Sequence, residues 1–163
     1  MMEVIKYQDS YFLEVANLLS LFRVHLKTFK GINDKPDIES AKEELSSFSK
    51  DENYPIYICI DNNEVLGYMI LKFDGVVWVE QIFVKESARR KGVATLLYQK
   101  AEEINKANGG DTLFYYVHPN NDIMISFLKS KGYDVLNLIE IRKPFKGEEN
   151  KETIQIANNK FKY

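Results

Sequence analysis

One stretch constrains the fold of this chain more than any other: residues 76–107, VVWVEQIFVKESARRKGVATLLYQKAEEINKA. Val76, Val77, Trp78, Val79, Ile82, Phe83 and Val84 crowd β-branched and aromatic side chains into one run, broken only by Glu80 and Gln81. Such a run suits a strand buried on both faces. Further along, Val93, Leu96, Leu97, Ala101 and Ile104 recur at the three-and-four spacing of one helical face, with Lys100, Glu102, Glu103 and Lys106 mainly outside it. The loop between strand and helix therefore ends at a helix N-terminus.

The first turn of a helix leaves about four backbone N–H groups unpartnered, and the aligned peptide dipoles place roughly half a positive charge there. An anion fits that position. Lys85, Arg89, Arg90 and Lys91 stand in the loop against a single Glu86, in a chain whose net charge is −2. Gly92 has no Cβ and Ala94 a minimal one, so a phosphate can come close to the backbone. On charge alone the loop reads equally well as a solvated turn.

The order Arg89-Arg90-Lys91-Gly92-Val93-Ala94 fits the pattern Arg/Gln-x-x-Gly-x-Gly/Ala between a hydrophobic strand and an amphipathic helix. It resembles motif A of the GNAT N-acetyltransferase superfamily, whose loop binds the pyrophosphate of acetyl-coenzyme A. The preceding VEQIFV resembles the family's fourth strand, and NDIMISFLKSKGY at residues 121–133 resembles its later N-x-x-A-x-x-F-Y-x-x-x-G-F/Y signature. The resemblance spans roughly residues 54–143.

Whole-chain quantities agree with one enzyme-sized unit. A length of 163 residues with 45% hydrophobic composition supports a single domain over residues 1–163, with 146–163 as a charged linker and tail. A pI near 5.8 argues against a general nucleic-acid binder. The single cysteine, Cys59, cannot form an intrachain disulfide and reads as core filling. No Cys/His cluster has metal spacing, so no metal is expected, and a reducing, cytoplasmic setting is. The N-terminus lacks a signal-like pattern, and no apolar run nears the roughly 18 residues of a membrane span, so a soluble protein without membrane contact is expected.

Along the chain, residues 3–7 alternate as a first strand, and Asp9 or Ser10 can cap a helix over residues 11–23 that buries Phe12, Val15, Ala16, Leu19 and Phe22. Residues 25–36 hold Gly31, Asn33, Asp34 and Pro36 and read as a loop carrying His25, followed by a helix over 38–48. Residues 54–60, 65–73 and 76–84 form an antiparallel meander through turns at Asp61–Glu64 and Asp74-Gly75. The motif helix stops near Gly109-Gly110 and residues 112–117 return as a strand parallel to 76–84. Asn120 or Asn121 caps a last helix to about Ser130, which stops at Gly132, and residues 133–141 read as a closing strand. The charged stretch 146–152 reads as a solvated connection. Ile154 and Ile156 alternate weakly, which fits either an edge strand or a contact with a second subunit.

The resulting order β-α-α-β-β-β-α-β-α-β is that of the GNAT fold, an α/β architecture whose mixed, mostly antiparallel sheet is flanked by helices. By resemblance, strands four and five splay apart and the pantetheine arm of the cosubstrate lies in the gap, where free backbone groups pair with it as an added strand would. The resemblance assigns those contacts to Ile82, Phe83 and Val84, with the N–H of Ile82 polarising the thioester carbonyl. It places the pyrophosphate on the backbone of Arg90, Lys91, Gly92, Val93, Ala94 and Thr95, with charge from Arg89, Arg90 or Lys91. Asn121 matches the family's Asn that touches the cofactor arm, a role compatible with capping. The two N-terminal helices border the acceptor.

Transfer of acetyl to an amine needs a base, because an alkylamine is mostly protonated at neutral pH. Glu80 lies where polyamine acetyltransferases of the superfamily place a carboxylate that can act as the base. Pairing with a Lys or Arg, or simple attraction of a cationic acceptor, are its other readings. Leu128 stands where many members have the Tyr that protonates the departing thiolate, which leaves Tyr115, Tyr116 or water for that step. Met124 replaces a small Ala. His118 ends the fifth strand as a loop histidine or a group that touches the acceptor. The leading function is therefore an acetyl-CoA-dependent N-acetyltransferase acting on a small-molecule or peptide primary amine in a ternary complex. The alternative is a catalytically weak module that binds acetyl-CoA as a sensor or assembly domain. A homodimer is common in the superfamily.

Overall fold

Strand formation in the middle of the chain follows the sequence pattern closely. In the computed structural model, which describes residues 1–150 and 152–163, β1 (Glu3–Lys6) leads into a short 3-10 turn (Asp9–Tyr11), α1 (Phe12–Thr28) and α2 (Ile38–Ser49). The meander β2 (Ile56–Asp61), β3 (Glu64–Asp74) and β4 (Val76–Val84) comes next, then a 3-10 turn (Glu86–Ala88) and α3 (Val93–Ala107). β5 (Phe114–Tyr115), α4 (Asp122–Ser130), β6 (Thr153–Ile156) and β7 (Asn159–Lys162) complete the order. Two compact units result, Met1–Phe127 and Leu128–Tyr163.

In the first unit the sheet runs β1-β2-β3-β4-β5, antiparallel except for a parallel β4–β5 pair. Asn62 and Asn63 both take positive φ, the geometry of the tight primed turn that joins twisted strands. α1 and α2 cover one face, where Val15, Leu19 and Leu45 meet Ile56, Ile58, Tyr68 and Ile70. Burying each such side chain contributes about 1.5–3 kcal/mol.

A bulge in β4 decides which side chains share that face. Ile70 pairs with Gln81 but the next residue, Leu71, pairs with Val79, so Glu80 is the extra residue. Val77 and Val79 accordingly share the face of Leu71 and Phe73, while Gln81 and Phe83 share the face of Ile70 and Tyr68. The expectation of one strand apolar on both faces thus resolves into two half-strands of opposite parity.

Several boundaries differ from expectation. α1 continues past residue 23 to Thr28, because Phe22, Leu26 and Phe29 prolong the apolar stripe and Gly31, at φ +69°, supplies the stop. His25 is therefore helical. Neither Asp9 nor Ser10 caps α1; the 3-10 turn intervenes and Tyr11 takes the cap position without a side-chain bond. β5 shrinks from 112–117 to two paired residues. The strand expected over 133–141 is absent: Val135, Leu138 and Ile141 are exposed, and among the described residues no strand pairs with that segment. The tail forms its own hairpin, β6 against β7, rather than an edge of the larger sheet. Of the charged connection, Lys151 lies outside the described residues.

Candidate active site

The parallel pairing of β4 and β5 is confined to Trp78 with Phe114 and Val79 with Tyr115. Beyond the Glu80 bulge the two strands share no ladder, and among the described residues no strand pairs with that side of residues 80–84, which leaves an open edge. The N–H of Lys85 donates to Leu66 of β3 at 3.0 Å. By the two-residue alternation of a strand, the N–H groups of Ile82 and Val84 turn the other way, toward the opening. Phe83 turns its side chain into the α1 side of the core, where its ring meets Phe22 at 5.9 Å and His25 at 6.1 Å.

At the end of β4 the chain makes the basic turn. Arg89 folds back on the strand: its Nε donates to the Val84 carbonyl at 3.2 Å and its guanidinium lies 5.6 Å over the Phe83 ring. Arg90 and Lys91 project into solvent, and Lys85 forms an ion pair with Glu64. Arg90 and Gly92 both have positive φ, at 64° and 90°. Gly92 is the N-cap of α3, no side chain caps that end, and the Leu96 N–H to Gly92 carbonyl bond is the first inside the helix. Apart from Gly92 and its chain neighbours, no heavy atom lies within 4 Å of where a Gly92 Cβ would stand. The N–H groups of Val93, Ala94 and Thr95 thus begin a helix with an open approach, which fits a phosphate. Val93 itself is buried and anchors the turn.

On the α1–α2 side, a chain of polar groups that sequence reasoning missed reaches the core. The Tyr68 hydroxyl donates to Gln81 Oε1 at 2.9 Å, Gln81 Nε2 donates to Glu44 Oε1 at 2.9 Å, and Arg23 grips Glu44 with Nε at 2.9 Å and with Nη2. The Glu44 bond raises the Arg23 pKa, with a smaller push from Glu80. The Glu80 carboxylate is therefore within electrostatic reach of α1, yet among the described residues no hydrogen bond or ion pair holds it. The available signal for this network was Gln81, a polar residue inside an apolar run.

α1 also reaches the β5–α4 loop. Asn120 Nδ2 donates to the Phe29 carbonyl at 2.9 Å, and the Phe29 ring stacks on His118 at 5.4 Å and meets His25 at 4.8 Å. Burial pushes both histidine pKa values below 6.5, helped by Arg89 for His25 and Lys30 for His118. His118 Nδ1 accepts from the Asn120 N–H at 3.2 Å, so its proton sits on Nε2. Asn121 caps α4, its Oδ1 accepting from the Met124 N–H at 3.1 Å. Cys59 is fully buried and its thiol pKa is raised by burial, in keeping with core filling. Among the described residues no group of three or more His, Cys, Asp or Glu could hold a metal, and no helix is long and apolar enough to cross a membrane.

Comparison with known proteins bears on this arrangement. The family model described as Acetyltransferase (GNAT) family matches residues 18–133, well over half of the chain. Among solved structures, a possible acetyltransferase from Clostridium difficile 630 superposes with a TM-score of 0.74 at 13% identity, covering 89% of this chain and 99% of that one. A transcriptional regulator from Bacillus halodurans C-125 gives 0.71 at 13%, covering 89% and 100%. An aminoglycoside N-acetyltransferase in complex with CoA gives 0.70 at 16%, covering 88% and 95%. At such identities the likeness is one of fold.

Proposed function

The chain belongs to the acetyltransferase (GNAT) family, and from that membership we propose that it transfers acetyl from acetyl-coenzyme A to a primary amine, with both substrates bound together. The observation that carries this reading is the open edge of β4 past Glu80, which leads directly to the uncapped N-terminus of α3. An amide-rich arm pairs with Ile82 and Val84 along that edge as an added strand does. Its pyrophosphate then meets the backbone N–H groups from Arg90 to Thr95, and the exposed Arg90 and Lys91 add charge. Arg89 acts from the strand end, on Phe83 and the Val84 carbonyl. Asn121 serves as the cap that starts α4.

In this reading Glu80 accepts the proton of the acceptor ammonium, directly or through water, and the freed nitrogen attacks the thioester carbon. The Ile82 N–H steadies the negative charge that develops on the carbonyl oxygen. The C–N bond forms, the C–S bond breaks and the thiolate leaves with the electron pair. Leu128 has no proton to give, so the excess proton left on the nitrogen after attack passes to the sulfur by way of a tyrosine hydroxyl or water. The same Leu128 motivates a second reading, a module that binds acetyl-CoA without turnover.

Calorimetry with acetyl-CoA tests the reading first, on the native chain beside Gly92→Asp. Native binding at micromolar affinity that the variant loses is the expected result, since the new side chain puts bulk and negative charge at the phosphate position. Glu80→Gln should then retain acetyl-CoA affinity while kcat/KM for an amine falls about 10²–10⁴-fold, the range for a lost general base. Native binding with no acetylated product from any amine would favour the module.

A further inference from the structure

β4, β5 and the residue that follows β5 carry three aromatic rings, Trp78, Phe114 and Tyr116, beside the face of the sheet that α1 and α2 cover elsewhere. Trp78 pairs with Lys72 of β3 on one side and Phe114 of β5 on the other, so the three side chains form a row on the Ile70 face. The Trp78 ring stacks on Tyr116 at 4.5 Å with 11° between planes, and tilts against Phe114 at 5.0 Å. Tyr116 is 58% exposed, and Trp78 and Phe114 are half-buried. None of the three belongs to the core beneath α1 and α2. Packing beneath α1 and α2 therefore does not account for this shelf, and a cluster of rings left partly open to solvent outside the core is a candidate binding surface.

The charges beside the shelf select the occupant. Lys72 is matched by Asp74 at 3.2 Å and Arg23 by Glu44. Glu80, the bulged residue two positions beyond Trp78, has no such match among the described residues. Aromatic faces carry the negative side of a quadrupole, so rings and carboxylate together present a negative surface to solvent.

We propose that Trp78, Phe114 and Tyr116 form the acceptor subsite for an arylalkylamine, its ring lying on the shelf and its ammonium at Glu80. The proposal rests on the acetyltransferase reading and names its acceptor class. Two residues of strand separate Trp78 from Glu80, about 7 Å, which suits a short alkyl link between ring and nitrogen. An amine without a ring leaves the shelf wet, and an anionic ligand is repelled by Glu80.

Trp78 is the chain's single tryptophan, so its fluorescence reports on the shelf directly. The full chain, with coenzyme A present, is titrated with 2-phenylethylamine, n-butylamine, 2-phenylethanol and 3-phenylpropanoate. Saturation by 2-phenylethylamine at concentrations about 10-fold below the other three is expected. Tyr116→Ala, a change at an exposed position, should raise its Kd about 3- to 10-fold with an unchanged circular dichroism spectrum. Glu80→Gln should abolish the advantage over 2-phenylethanol. Equal response to n-butylamine, or indifference to Tyr116→Ala, overturns the assignment. Acetylation of n-butylamine as efficiently as of 2-phenylethylamine would leave acetyl transfer standing and remove the aryl subsite. Saturable 2-phenylethylamine binding without any affinity for acetyl-CoA would keep the subsite and remove acetyl transfer.

Discussion

The buried hydroxyl of Tyr68 and the amide of Gln81 show how single residues set the α1–α2 side of the site. Tyr68 is inaccessible to solvent and Gln81 nearly so, and each satisfies the other before the chain of bonds reaches Glu44 and Arg23. Tyr68→Phe leaves the Gln81 carbonyl without its donor in the core. Urea denaturation should show a loss of about 1–3 kcal/mol, the desolvation cost of an unpaired buried polar atom. A change of a few tenths would mean that Gln81 finds another donor. In the sequence Gln81 was visible only as an interruption, because partners 13 and 37 residues away leave no local trace. Glu80 stands out in the sequence by family resemblance; that it lies at a bulge is visible only in the pairing register. Asn121 was readable in two ways, and the Met124 N–H shows the capping one.

At the scale of elements, the join between the basic loop and the sheet depends on how closely α3 approaches β3 and β4. A Cβ on Gly67 would stand 2.7 Å from the Phe83 carbonyl oxygen and 3.2 Å from Val93 Cγ1. Neither backbone nor a fully buried valine can give way freely. Gly67→Ala should therefore cost about 1–3 kcal/mol in thermal or chemical unfolding, and should weaken acetyl-CoA binding by calorimetry as the start of α3 shifts from the strand end. An unchanged affinity would show that the loop adjusts independently of β3. The bounds of β4 and the start of α3 were readable because both arise from short-range periodicity, of two and of 3.6 residues. β5 and the segment 133–141 fall short of the expected strands for the same reason: apolar alternation states a willingness to pair, while a strand exists only where a neighbour offers a ladder. α1 outruns its expected end because Leu26 and Phe29 continue the apolar stripe of Phe22 right up to the loop chemistry of residues 31–36.

For the molecule as a whole, two partly buried histidines link stability to pH. Both pKa values are lowered in the fold, by burial first and by Arg89 or Lys30 second. The unfolded chain takes up these protons near pH 6.5, whereas the folded chain resists until lower pH. Stability present above that value is lost as pH falls toward the folded pKa values, then levels. Between about pH 7.5 and about pH 5.5 the native Tm should drop, and a His25→Gln, His118→Gln double variant should lose less over the interval. Equal losses would show that other groups govern it. Sequence alone determined the element order through α4, the antiparallel meander, the basic loop at a helix start and the family those features resemble, because each is written in contacts between near neighbours. Only tertiary structure decided where β4 and β5 part, which face each half of β4 presents, which cations are already matched and which aromatic rings stay open. Those depend on register and on residues far apart in the chain, where a shift of one position reverses every side chain.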